Sequence, residues 1–195
     1  NSGDIELNLS GDFLNNNKFV SGKNITINAV NLVNNNILGS TESFTVNLLG
    51  KLDNFNSLIL GNGNNTIITG ESIFNNGALT SHNNLNINSK DLINNGQIIS
   101  GNNLILNTEN ILNGNYSLLY SKNDMNIFSK EDLINDKGEI YSGNNIEIKA
   151  QGKVQNITGV IQSIGDIYIE AVQIENLGEN SSAIEEIPVY ATAET

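Results

Sequence analysis

The feature that most constrains this chain is its self-similarity. A unit of about 20 residues opens at Phe13, Leu32, Leu52, Ile73, Leu92, Ile111, Leu133, Val154 and Ile174, at spacings of 19, 20, 21, 19, 19, 22, 21 and 20 residues. The third residue of every copy is asparagine: Asn15, Asn34, Asn54, Asn75, Asn94, Asn113, Asn135, Asn156 and Asn176. Most copies carry a serine six or more residues later, at Ser21, Ser40, Ser81, Ser100, Ser121, Ser142 and Ser163. Four residues on, apolar residues alternate with others, as in Ile25-Ile27-Ala29, Leu104-Leu106-Thr108 and Ile146-Ile148-Ala150. Compositional bias alone does not hold such columns in phase.

A period near 20 with two-residue alternation inside each unit means short strands separated by Asn/Gly/Ser turns. One unit cannot bury its apolar side alone. Stacked as coils of a parallel β-solenoid, units place like positions above one another at about 4.8 Å, and nine coils make a rod of roughly 40 Å. The expected core is ladders of Leu, Ile, Val and Phe. The expected domain covers residues 1–176. Residues 177–195, with Pro188 and four glutamates, lose the pattern and read as a cap, a linker or the start of another segment.

Stacking gives the 39 asparagines a job. Asn tolerates the left-handed backbone that sharp corners need, and its side chain bonds neighbouring backbone. A carboxamide in a vertical file can also donate to one neighbour and accept from the other. A column of aspartates would instead stack like charges in a poor dielectric. The nine asparagines therefore read as a structural ladder that holds corners and performs no catalysis.

The repeat unit L-x-N-x-G-x-I-x-S-G-x-N-L-x-L-x-(A/T/S), clearest at 92–108 and 133–150, resembles the filamentous-haemagglutinin repeat of two-partner-secretion exoproteins. That family includes adhesins and the stick-like proteins of contact-dependent growth inhibition. The resemblance spans about residues 3 to 176. It implies an all-β, right-handed parallel β-helix of about nine coils, secreted to the surface of a Gram-negative bacterium through an outer-membrane transporter. It also implies a stalk that presents a distal binding or toxic domain. The family's secretion-signal domain has Asn-Pro motifs, which cannot occur where the only proline is Pro188.

Composition narrows the partners. The net charge is −12, with nine lysines and no arginine, so no cationic surface exists for nucleic acid or an anionic membrane. No apolar run reaches membrane-spanning length. There is no cysteine, and no cofactor or metal is expected. GNGNNTIITG, 61–70, is similar to a calcium-binding nonapeptide, but Asn65 stands where a charged ligand belongs, and the stretch reads as a looser corner.

A β-helix enzyme needs clustered outward carboxylates. Asp12, Asp91 and Asp132 occupy a slot where Asn31 and Asn110 stand in other copies, so they read as corner residues. His82 reads as a lone surface turn residue. Six Asn-x-Ser/Thr sequons, at Asn8, Asn24, Asn64, Asn115, Asn156 and Asn180, follow from the abundance of asparagine. Tyr120 and Tyr141 share one slot and should stack. Their alternative role is a contact patch for a host or bacterial surface glycan or receptor. The expected molecule is a monomeric rod, and a plain stalk predicts a smooth, polar exterior.

Overall fold

The computed structural model describes residues 3–55, 58–63, 65–178 and 191–193. Among them there is no helix. Each coil contributes to three strand rows, as in Asn110–Asn113, Leu118–Ser121 and Met125–Ser129. These three define an asparagine row, a serine row and an apolar row. Alternation makes them strands: in Met125–Ser129 the first, third and fifth residues are buried while the second and fourth look outward.

The serine rows form an eight-stranded sheet from Phe19–Ser21 to Val160–Ser163, and the ninth unit begins with Gln173–Leu177. The asparagine and apolar rows join into one larger sheet. Asn65–Asn75 and Asn84–Asn94 run through both rows as continuous 11-residue strands. Nearly all described pairings are parallel and join residues one repeat apart, for example Leu92 with Ile73 and Ile111. The winding is that of a right-handed parallel β-solenoid. The exception is Ala191–Ala193, whose backbone pairs antiparallel with Ile167–Glu170 near the end of the coil stack. The remainder of the 177–195 stretch, beyond 178, lies outside the described residues, apart from that pairing.

The core is a set of files. Leu52, Ile73, Leu92, Ile111 and Leu133 are all at most 2 % exposed, as are Ile59, Leu79, Ile98, Leu119 and Ile140 from the serine row. Each such side chain contributes about 1.5–3 kcal/mol of transfer free energy. Files of like side chains also leave few voids, because each methyl group rests on its counterpart one coil away. At the first coil Phe13 and Phe19 meet edge to face at 5.6 Å between centroids.

Two expectations need correction. The exterior is not uniformly polar: the residue between the apolar opener and the ladder asparagine points outward, so Phe74, Ile93, Leu112 and Ile134 form a partly exposed apolar file, separated by Asp53 from Val33 and Leu14 in the same column. Nor do the described asparagines take left-handed backbone at the corners. Among the described residues positive φ occurs at Tyr116 (58°), Lys137 (57°) and Thr158 (51°), all in the turn after the ladder asparagine. The asparagines act through their side chains.

Candidate functional site

The continuous polar feature of the interior is the amide file. Asn15 Nδ2 donates to Asn34 Oδ1 at 2.7 Å, Asn34 to Asn54 at 2.9 Å, Asn54 to Asn75 at 2.8 Å and Asn75 to Asn94 at 2.8 Å. The chain of bonds continues from Asn94 to Asn113 at 2.9 Å, then to Asn135, Asn156 and Asn176, each at 2.8 Å. All donors point toward the C-terminal end. Parallel register is what allows this, since each asparagine pairs with its counterpart one coil on. Asn34, Asn54, Asn75, Asn94, Asn113 and Asn135 are fully buried.

The second amide hydrogen is also used. Asn75 donates to Gln97 O at 3.0 Å, Asn94 to Leu118 O at 3.2 Å and Asn113 to Glu139 O at 3.2 Å. The asparagine row is thereby tied to the serine row of the following coil. At Gly138 and Gly159 this packing leaves no room for a side chain. A Cβ on Gly138 would run into Asn113 Nδ2 and lie 2.7 Å from Asn135 Oδ1; on Gly159 it would meet Asn135 and Asn156 in the same way.

The serine column has a different task. Its hydroxyls cross the next turn to a carbonyl, as Ser81 does to Asn84 O at 2.9 Å and Ser100 to Asn103 O at 2.8 Å. Gly61 occupies this column between Ser40 and Ser81. There Thr66 stands in a file otherwise held by Phe44 and Leu85, and its hydroxyl donates to Ser81 Oγ at 3.0 Å. A Cβ on Gly61 would overlap Thr66 Oγ1. The two departures therefore compensate: the hydroxyl missing from one row is supplied by the other. A single copy that deviates in this way looks like a loose corner in the sequence, and no signal there marks the exchange.

The outward carboxylates are spread along corners. Asp12 accepts from Asn31 Nδ2 at 2.8 Å, Asp91 from Asn110 Nδ2 at 3.1 Å, and Asp132 from the Lys153 backbone N–H at 2.8 Å. Asn110 separates Asp91 from Asp132, and each carboxylate binds the coil after it. His82 is exposed in the turn between Ala78–Ser81 and Asn84–Asn94. Among the described residues no group of three or more His, Cys, Asp or Glu side chains is placed to hold a metal. On the outer face of the apolar row, the hydrogen bond and charge of Glu147 hold the Lys149 ammonium above its ordinary pKa. That pair, at 2.6 Å, lies in solvent, where screening leaves it little weight.

Tyr120 and Tyr141 pair in register on the outer face of the serine sheet, with centroids 5.7 Å apart and ring planes 2° from parallel. Both are half-buried. Of the sequons, Asn156 has its amide committed to Gly159 O and Asn176, and Asn64 and Asn180 lie outside the described residues.

A family model described as the haemagglutinin repeat matches residues 1–54 and 38–158. No curated protein and no solved structure matches the chain. The matched span covers the ladder from Asn15 to Asn156, and repeats of this kind are structural elements of adhesin-type, secreted surface exoproteins. The unit that generates the file of amides is thus the unit the family model describes, and this chain belongs to the haemagglutinin repeat family.

Proposed function

We propose that this segment is part of the shaft of a large exoprotein displayed on a Gram-negative cell, holding a distal binding or toxic domain away from the surface. The unbroken amide file carries the reading. It makes every coil the template for the next, so length is added at about 4.8 Å per coil without ligand, metal or nucleotide. Secretion through an outer-membrane transporter partner fits the same physics, because each coil that folds outside offers an edge for the coil emerging behind it. Adhesin and contact-dependent growth inhibition carrier are both parents of this type.

Duplicating residues 32–153, six coils, in the surface-displayed parent tests the shaft role. A label on the distal end should move outward by about 29 Å, with delivery or adhesion retained. A label that does not move, or a parent that loses its reach, rejects the proposal. The second reading is a glycan or protein contact at Tyr120 and Tyr141, supported by their aligned rings. It predicts a glycan array positive for this segment and negative once both are changed to Ala.

A further inference from the structure

We infer that the outer face of the asparagine row docks a cationic, amphipathic helix supplied by another protein. The surface is the outward apolar file. Phe74, Ile93, Leu112 and Ile134 stand in one column, one coil apart, so the file is about 14 Å long. Asp53 precedes it and Gln155 follows it in the same column. The patch is therefore a bounded block and not a property of every coil. Beside it runs a shallow channel of about 260 Å³, lined in part by Ile93, Leu112, Ile134, Asp91 and Asp132.

The second wall of the channel is acidic. Between Lys51 and Lys153 the column that precedes the apolar openers holds Ser72, Asp91, Asn110 and Asp132, and among the described residues no lysine lines the channel. Lys51 is taken by Asp53 at 2.9 Å. Asp91 accepts from Asn110 through Oδ1 and Asp132 from the Lys153 backbone N–H through Oδ1, so each carboxylate is held in place with its second oxygen left for a partner. The two are half-buried and two coils apart, about 10 Å. Charges beside an apolar wall are screened less than free surface charges.

This combination selects the occupant. A second copy would bring the same acidic column and a net charge of −12. The chain's own stretch 179–190 carries Glu179, Glu185 and Glu186 with no lysine. Both would be repelled. An added strand finds no edge, because Ile93 is already paired on both sides, with Phe74 and with Leu112. A helix laid along the rod meets the file in step, since its turns rise about 5.4 Å against about 4.8 Å per coil. Its apolar stripe would cover the four side chains. Basic residues seven apart, about 10.5 Å along such a helix, would stand over Asp91 and Asp132.

The inference is independent of the shaft reading, whose test concerns reach. A labelled leucine–lysine peptide of about 14 residues, apolar on one helical face, is titrated against the chain by fluorescence anisotropy. A leucine–glutamate peptide of the same pattern and a scrambled leucine–lysine peptide serve for comparison. The amphipathic lysine peptide should bind saturably. Ile93→Thr/Leu112→Thr should weaken it about tenfold, equivalent to ~1.4 kcal/mol, with the urea midpoint little changed because threonine suits an outward strand position. Asp91→Asn/Asp132→Asn keeps each Oδ1 acceptor and installs the residue found at Asn31 and Asn110. It should weaken binding by a similar factor and flatten the salt dependence. Asp12→Asn, in the same column but outside the patch, should change nothing. No saturable binding, equal binding of either comparison peptide, affinity unmoved by either double variant, or an equal loss in Asp12→Asn would each overturn the assignment. So would a wild-type chain that sediments as a dimer and turns monomeric in Ile93→Thr/Leu112→Thr, which would give the face to a second copy.

Discussion

Replacing Asn94 with alanine removes the middle rung of the ladder, and its cost can be worked from the contacts. The wild-type amide donates to Asn113 Oδ1 and Leu118 O and accepts from Asn75 Nδ2 and the Gly96 N–H. Without it, Asn113 Oδ1 loses the donor one coil above it, while Asn75 keeps only Gln97 O at 3.0 Å. Stranding a buried polar atom costs about 1–3 kcal/mol. Two such atoms, with the void left by the side chain, give about 3–6 kcal/mol, a large part of a typical 5–15 kcal/mol stability. The control is Asn107→Ala. Asn107 donates to Asn88 at 3.0 Å in an exposed amide pair bounded by Thr69 and Phe128, and water replaces that bond, so less than about 0.5 kcal/mol is expected.

Urea unfolding followed by far-ultraviolet circular dichroism measures both, with midpoints compared because solenoids depart from two-state behaviour. Asn94→Asp sharpens the test. A carboxylate at a fully buried site has its folded-state pKa raised above the ordinary value near 3.9. The folded state then binds more protons, so stability is lost as pH rises from that ordinary value through the raised one, and returns on acidification as the protonated acid donates to Asn113. If Asn94→Ala and Asn107→Ala shift the midpoint equally, or Asn94→Asp shows no recovery in acid, the ladder contributes no more than surface hydrogen bonds.

Further substitutions probe the interior independently. Gly61→Ser should destabilise by about 1–3 kcal/mol through overlap with Thr66, and Thr66→Leu should rescue it; a double-mutant cycle with coupling below about 0.5 kcal/mol would show the two sites to be unrelated. Gly138→Ala, which intrudes on Asn113 and Asn135, should lower the midpoint clearly, whereas Gly11→Ala, with open space around its Cβ position, should not. Thr108 Oγ1 is buried without a partner. Thr108→Val should therefore be neutral or stabilising by up to about 1 kcal/mol, and a loss of stability would mean the hydroxyl is bonded.

The sequence revealed the winding because three columns repeat in phase. Asn, Ser and the apolar alternation each became one row, and the Tyr120–Tyr141 stack followed from their shared slot. The outward apolar file at Phe74, Ile93 and Leu112 was illegible, since two adjacent apolar residues before an asparagine do not say which faces the core. The left-handed turn residues were missed for another reason. Lys137 and Thr158 lack the residue preference that flags such backbone, which the ladder and the following glycine impose on them. Gly61 and Thr66 make sense only as a pair, and they are brought together by the coil, not by proximity in a motif.

The central claim is that buried amides from successive coils lock the winding. Hydrogen exchange of the side-chain NH2 groups, resolved by nitrogen-15 NMR, tests it rung by rung. Asn34, Asn54, Asn75, Asn94, Asn113 and Asn135 should exchange only on unfolding of the surrounding coils, about three orders of magnitude or more slower than exposed Asn16 and Asn17. Exchange of the ladder amides at the rate of those exposed asparagines would contradict it.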